Sequence, residues 1–176
     1  VSGENSSNIP STLTLPRGAK LTTNVDGRNY RYVVLNEQTA VLSPSSTFVF
    51  DNVTIVEGTR KKLLYRVDND IENQKFQLSD DDADTSTLRV LIQANELSTS
   101  YDNYTQFESL LNVDSSSRVY YIQENSNEFY EIYFGDGVTG KKPINNNIVT
   151  LDYIFTNAGD SNGANVFTKV DNIGGY

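Results

Sequence analysis

The sequence contains no cysteine and no histidine. Without cysteine there is no disulfide, no thiolate nucleophile and no cysteine-ligated zinc or iron–sulfur site. Without histidine the commonest metal ligand and the commonest general base are missing together. A Ser-His-Asp triad, a Cys-His pair and a histidine-ligated zinc are therefore excluded within these 176 residues, and carboxylate, Lys, Tyr, Ser and Thr are left for any chemistry. Methionine is also absent, including at the first position. The chain is read as a piece of a longer protein.

No apolar run approaches the roughly 20 residues that a membrane span needs, and no apolar signal-like segment opens the chain, so no membrane contact is expected. Basic residues are scarce: 14 stand against 23 acidic ones, for a net charge of -9. The densest basic cluster, Arg60-Lys61-Lys62, is read as a hairpin end. Nucleic-acid binding draws on phosphate neutralisation by clustered Lys and Arg, so no nucleic-acid partner is expected.

What is present is alternation. Leu63, Tyr65 and Val67 point one way while Lys62, Leu64, Arg66 and Asp68 point the other, the period of a half-buried strand. The same pattern runs through Leu88, Val90 and Ile92, through Tyr130, Ile132 and Phe134, and through Val149, Leu151, Tyr153 and Phe155. Turn residues separate the runs at short spacing. Asp26-Gly27, Asn125-Ser126-Asn127 and Glu57-Gly58-Thr59 each predict a hairpin. One segment differs, with Tyr104, Phe107, Leu110 and Leu111 at helical spacing behind Asp102 or Asn103 as cap. The fold expected is mainly β, antiparallel sheets of sandwich or meander type in two lobes, with one short helix near 103–112.

Four carboxylates fall within Asp80 to Asp84 and repel one another into solvent. This predicts a first β-rich lobe over 1–79, an acidic linker over 80–86 and a second lobe over 87–176. A calcium loop would need a glycine and a distal Glu at fixed offsets, which this run lacks. Three Asn-x-Ser/Thr triplets, at Asn5, Asn52 and Asn103, have no secretory signal beside them and are discounted. The 11 tyrosines and 8 phenylalanines fill a core, form a protein interface or offer a sugar platform; Tyr120-Tyr121 must send one ring inward and one outward.

The stretch FGDGVTGKKPINNN, from Phe134 to Asn147, imitates two nucleotide motifs. Gly135 to Gly140 followed by Lys141 approaches a Walker loop, but Lys142 holds the Ser/Thr position and Pro143 with three asparagines replaces the helix. Gly135, Gly137 and Gly140 have dinucleotide spacing, but a strand follows. The reading is structural: glycines allow positive φ, Asp136 bonds back to nearby N–H groups, Pro143 fixes the exit, and the chain returns in a long FGDG hairpin. The residues singled out as structural turn motifs are Gly135, Asp136, Gly137, Gly140, Pro143, Asp26 and Gly27. No catalytic, metal or cofactor-binding residue is assigned, and no cofactor is expected.

Four motifs in order carry a family likeness. They are Leu15-Pro16-Arg17-Gly18 with Asp26-Gly27, then Asn52 to Gly58, then Asp84 to Val90, and last Tyr130 to Gly137 with Gly140-Lys141-Lys142-Pro143, Asn147 to Tyr153 and Thr156 to Gly159. Together they resemble the baseplate J-like family, tail components of contractile-tailed bacteriophages and related injection machines, and among them most the wedge subunits of T-even-like phages. Where that family often has Gly before the returning strand, this chain has Asn146, a residue that tolerates the left-handed region. The resemblance implies a structural subunit of the virion tail baseplate, assembled in the bacterial host cytoplasm, with no enzymatic activity. Its implied partners are other baseplate wedge proteins and further copies of itself, with no small-molecule substrate. The competing reading is a carbohydrate- or calcium-binding β-sandwich of an adhesin or tail-fibre-like protein. A glycosidase would need two carboxylates roughly 5–10 Å apart in a cleft, and the sequence gives no means of choosing such a pair.

Overall fold

A computed structural model of the chain describes residues 9–109, 113–156, 163–170 and 172–173. Among these residues there are strands and no helix. In chain order the strands are β1 (Thr12–Leu15), β2 (Lys20–Val25), β3 (Arg28–Val34), β4 (Gln38–Val41), β5 (Ile55–Glu57), β6 (Thr59–Arg66) and β7 (Phe76–Gln77). They continue as β8 (Ala83–Gln93), β9 (Asp102–Gln106), β10 (Val119–Glu124), β11 (Tyr130–Phe134), β12 (Ile148–Phe155) and β13 (Thr168–Lys169). The chain divides into two compact units, Val1–Thr59 with Asn157–Tyr176, and Arg60–Thr156.

The first unit holds a four-stranded sheet in the order β13-β2-β3-β5 and a two-stranded ribbon, β1-β4. Asp26 and Gly27 join β2 to β3 with φ of 50° and 80° and Val25 opposite Arg28. A two-residue hairpin with both central residues at positive φ matches the twist of its strands. The Asn24 carboxamide oxygen accepts the Gly27 N–H at 3.1 Å and so reinforces the bend. Leu15, Ala19 and Val34 form the small core of this unit, with Leu21, Phe50, Val53 and Ile55 against it.

The second unit is one seven-stranded sheet, ordered β6-β12-β8-β9-β10-β11-β7. Beside β12, Arg60 bonds Asp152 while Val67 N–H donates to Asn147 O, so β6 runs opposite to β12. β9 and β10 pair in parallel. The sheet curls until its outermost strands meet: the Tyr65 hydroxyl of β6 donates to Gln77 O of β7, and the Tyr65 and Phe76 rings stand edge to face at 5.6 Å. The concave side holds the main core, with Leu78, Val90, Ile132, Val149, Leu151 and Tyr153 buried in it. At the bulge between β12 and β8, the Thr87 hydroxyl accepts the Ile154 N–H at 2.9 Å that the broken ladder leaves over.

Several expectations are corrected. No helix begins at Asp102 or Asn103: the first half of that segment is β9, residues 107–109 are irregular, and 110–112 lie outside the described residues. Eight residues with apolar positions at both odd and even offsets fit either period, and the slot between β8 and β10 decides it. Tyr104 fills the core there, edge to face with Phe134 at 5.3 Å. Glu57-Gly58-Thr59 is not a hairpin, because β5 pairs with β3 while β6 lies beside β12 in the other sheet. Arg60-Lys61-Lys62 lies within β6, where Arg60 meets Asp152 and Lys61 meets Asp80. Residues 80–86 do not separate the units, for β8 already begins at Ala83 and the division falls at 59/60 and 156/157. β12 is buried on both faces from Ile148 to Ile154, although its sequence alternates.

Candidate functional site

Residues 135–147 run from β11 to β12, and in the sheet β10, β9 and β8 stand between those two strands. The expected FGDG hairpin is therefore replaced by a crossover. Strand directions put the segment at the sheet end where β9 and β10 begin and β8 finishes, and its bonds follow that order. Gly140 N–H donates to Asp114 O at 3.0 Å and Lys141 N–H to Ser117 O at 2.7 Å, both just ahead of β10. The Lys141 ammonium meets Asp102 at the start of β9 at 3.1 Å, and Arg118 meets the same carboxylate at 2.9 Å. The buried Asn147 carboxamide donates to Ala94 O, just past β8, at 3.0 Å. Asn146, at φ 66°, donates its N–H to Val67 O, just past β6, at 2.9 Å. The segment is a strap tying four strand ends together.

Within the strap the Asp136 carboxylate accepts N–H bonds from Val138 at 2.9 Å and Thr139 at 3.0 Å. These bonds, Thr139 first and then Val138, hold the exposed Asp136 carboxyl below the usual aspartate range. Asp114, which receives the strap, is also held low, first by the Ser116 hydroxyl and then by the Ser116 N–H. Gly137 turns at φ 93°. A methyl group on Gly135 would stand 2.2 Å from Thr139 O, and one on Gly140 would stand 2.8 Å from the Val119 side chain. Close approach of backbone to backbone, and of strap to β10, is what these two positions require. Pro143 is buried behind them.

The strap amides are used within the protein. Gly137 N–H donates to Gly140 O, Val138 and Thr139 N–H to Asp136, and Gly140 and Lys141 N–H to the segment before β10. Five consecutive amides are taken up inside the protein, whereas a phosphate cradle must aim them at a ligand. Asp26 and Gly27 belong to the other unit. Sequence reasoning assigned none of Asp102, Asp114, Arg118 and Asn147 to the strap they hold in place, reading Asp102 as a helix cap and Asn147 as part of the family likeness. Only Asp114, opening a Ser-Ser-Ser run, carried a local turn signal.

Residues 57–160 match the family described as bacteriophage baseplate wedge protein gp6, third domain. The chain belongs to this family. The gp6 third-domain match brackets the whole second unit, including the strap. The chain is also similar to "Baseplate wedge protein gp6" of Enterobacteria phage T4, with 24% identity over 183 aligned residues that cover 92% of this chain. Those residues amount to 26% of the T4 protein, so this chain spans about a quarter of the length of that gp6 relative.

Proposed function

We propose that this chain is a structural part of a contractile-tail baseplate, a segment of a wedge subunit that joins neighbouring subunits by protein–protein contacts. The observation that carries the reading is the gp6 third-domain match, which falls on a curled sheet whose strand ends are strapped together. Such a body is suited to transmitting load, because relative movement of β6, β8, β9 or β10 has to break strap bonds. Its partners on this reading are other baseplate wedge proteins and further copies of itself, it resides in the virion tail, and assembly takes place in the host cytoplasm. The likeness to baseplate J-like proteins runs through the strap and both flanking strands, which supports the same role. No enzymatic activity is assigned to it.

The Tyr120-Tyr121 pair gives little support to the carbohydrate reading. Tyr120 is in the core, and Tyr121, on the outer face, stacks on Tyr133 at 5.1 Å and on Phe107 at 4.7 Å. The Tyr121 ring thus packs against two neighbouring rings, one stacked and one tilted, rather than standing alone. Antibodies raised against the 176-residue chain provide the test, applied to phage tails viewed by electron microscopy. Label at the baseplate is the expected result; label confined to the fibres, or a tail without the chain, overturns the proposal.

A further inference from the structure

Residues 67–74, between β6 and β7, face the strap across an open cleft of about 440 Å³. At its base the half-buried Phe134 is the exposed part of an apolar layer. Phe76 is buried, Phe134 and Pro143 lie beside it, and the Phe76 and Phe134 rings meet edge to face at 5.6 Å. Its rim is acidic, with Asp68, Asp70 and Glu72 on the loop, Asp136 on the strap and Lys142 as the single cation. None of these four carboxylates forms an ion pair with a described Lys or Arg, whereas Asp80, Asp102, Glu131 and Asp152 all do. The wall is held in shape: Gln74 accepts the Asp68 N–H and donates to Arg66 O, and Asp68 accepts the Asp70 N–H at 3.0 Å.

A cleft lined by one sign of charge over a low-dielectric floor concentrates its field on the opposite sign. A phosphate is repelled here, and a bare metal ion gains nothing from two phenyl rings. A Lys or Arg side chain uses both parts, its charge among the carboxylates and its stem against Phe134. One such side chain fills only part of this volume, and Lys142 offers a donor to a carbonyl of the residues on either side of it. We propose that the cleft is a socket for an extended segment of a neighbouring baseplate protein, which inserts a Lys or Arg flanked by apolar residues. The source of the segment rests on the structural reading above; the specificity of the socket does not.

The test is an amide-shift NMR titration of the labelled 176-residue chain with the blocked peptide acetyl-Gly-Leu-Arg-Leu-Gly-amide, its Glu counterpart and free spermidine. Saturable shifts confined to residues 68–74, 134–136 and 142 are expected with the Arg peptide alone. Asp70 and Glu72 are exposed, so the double variant Asp70→Asn, Glu72→Gln keeps the fold, seen as unchanged shifts elsewhere, and weakens the peptide about tenfold. No saturation, an equal response to the Glu peptide, or indifference to the double variant overturns the proposal. So does spermidine binding as tightly as the peptide, which would mark a site for free polycations. A chain missing from the baseplate in the labelling experiment would remove the source of the segment and leave this titration unaffected, so the two failures are distinguishable.

Discussion

At the scale of the residue, the strap glycines differ in kind. Gly137 has space for a methyl group and is constrained only by its φ, since its nearest neighbour would be Lys142 Cβ at 3.9 Å. Gly135 meets backbone oxygen at 2.2 Å, and Gly140 meets Val119 while also holding φ of 106°. Gly137→Val is expected to cost about 1–3 kcal/mol from backbone strain, and Gly137→Ala toward the lower end of that range. Gly135→Ala and Gly140→Ala should cost more than Gly137→Ala, because backbone has to move at the first and the Val119 side chain at the second, on top of its positive φ. Denaturant melts of the three alanine variants check the order, and equal midpoints would contradict it. Two buried tyrosines give a pH prediction. Tyr153 is pushed up to about 12, first by burial and then by its bond to Asp80; Tyr104 is pushed up to about 12, first by burial and then by the Asp102 charge. A pKa raised on folding adds stability that is fully present below the ordinary value of 10.0 and is lost as pH climbs toward 12. Thermal midpoints are expected to fall through that window, with tyrosinate absorbance showing late titration. Early titration of every tyrosine would contradict this.

At the scale of the element, bonds between strap and sheet can be ranked. Asp102 carries two ion pairs, but its side chain and both partners are a third exposed or more, and such pairs are worth about 0–1 kcal/mol. Asn147 is buried and closes two bonds at once, accepting Ile144 N–H at 3.0 Å and donating to Ala94 O. Its loss leaves partners unmet, at about 1–3 kcal/mol. Asn147→Ala should therefore destabilise more than Asp102→Ala, measured by chemical denaturation, and the reverse order would refute the ranking. The same contrast explains what could be read from the sequence. Leu63 and Tyr65, Leu88 to Ile92 and Tyr130 to Phe134 alternate because their strands bury one side, so their inward faces were legible. β12 was misjudged because burial of its second face is decided by neighbours distant in sequence. The strap showed its turn residues but not its path, since three glycines and a proline describe local bending and say nothing of which strands lie between the two ends. Asp26-Gly27 was legible because a two-residue bend is a local matter throughout.

At the scale of the whole molecule, the family match over 57–160 and the compact unit Arg60–Thr156 nearly coincide. That unit has its own core and keeps its bonded strand neighbours within itself. Residues 57–160 made alone are expected to give a dispersed amide spectrum and one cooperative melt. A collapsed spectrum would show that the flanking residues are required for folding.

Arg60 and Asp152 form a bidentate contact at 2.8 and 2.6 Å, so the polypeptide enters and leaves the sheet through one doorway. Neighbouring strands lie about 4.8 Å apart, and a two-residue bend covers that gap. The segment from 60 to 156 therefore starts and finishes on adjacent strands, β6 and β12.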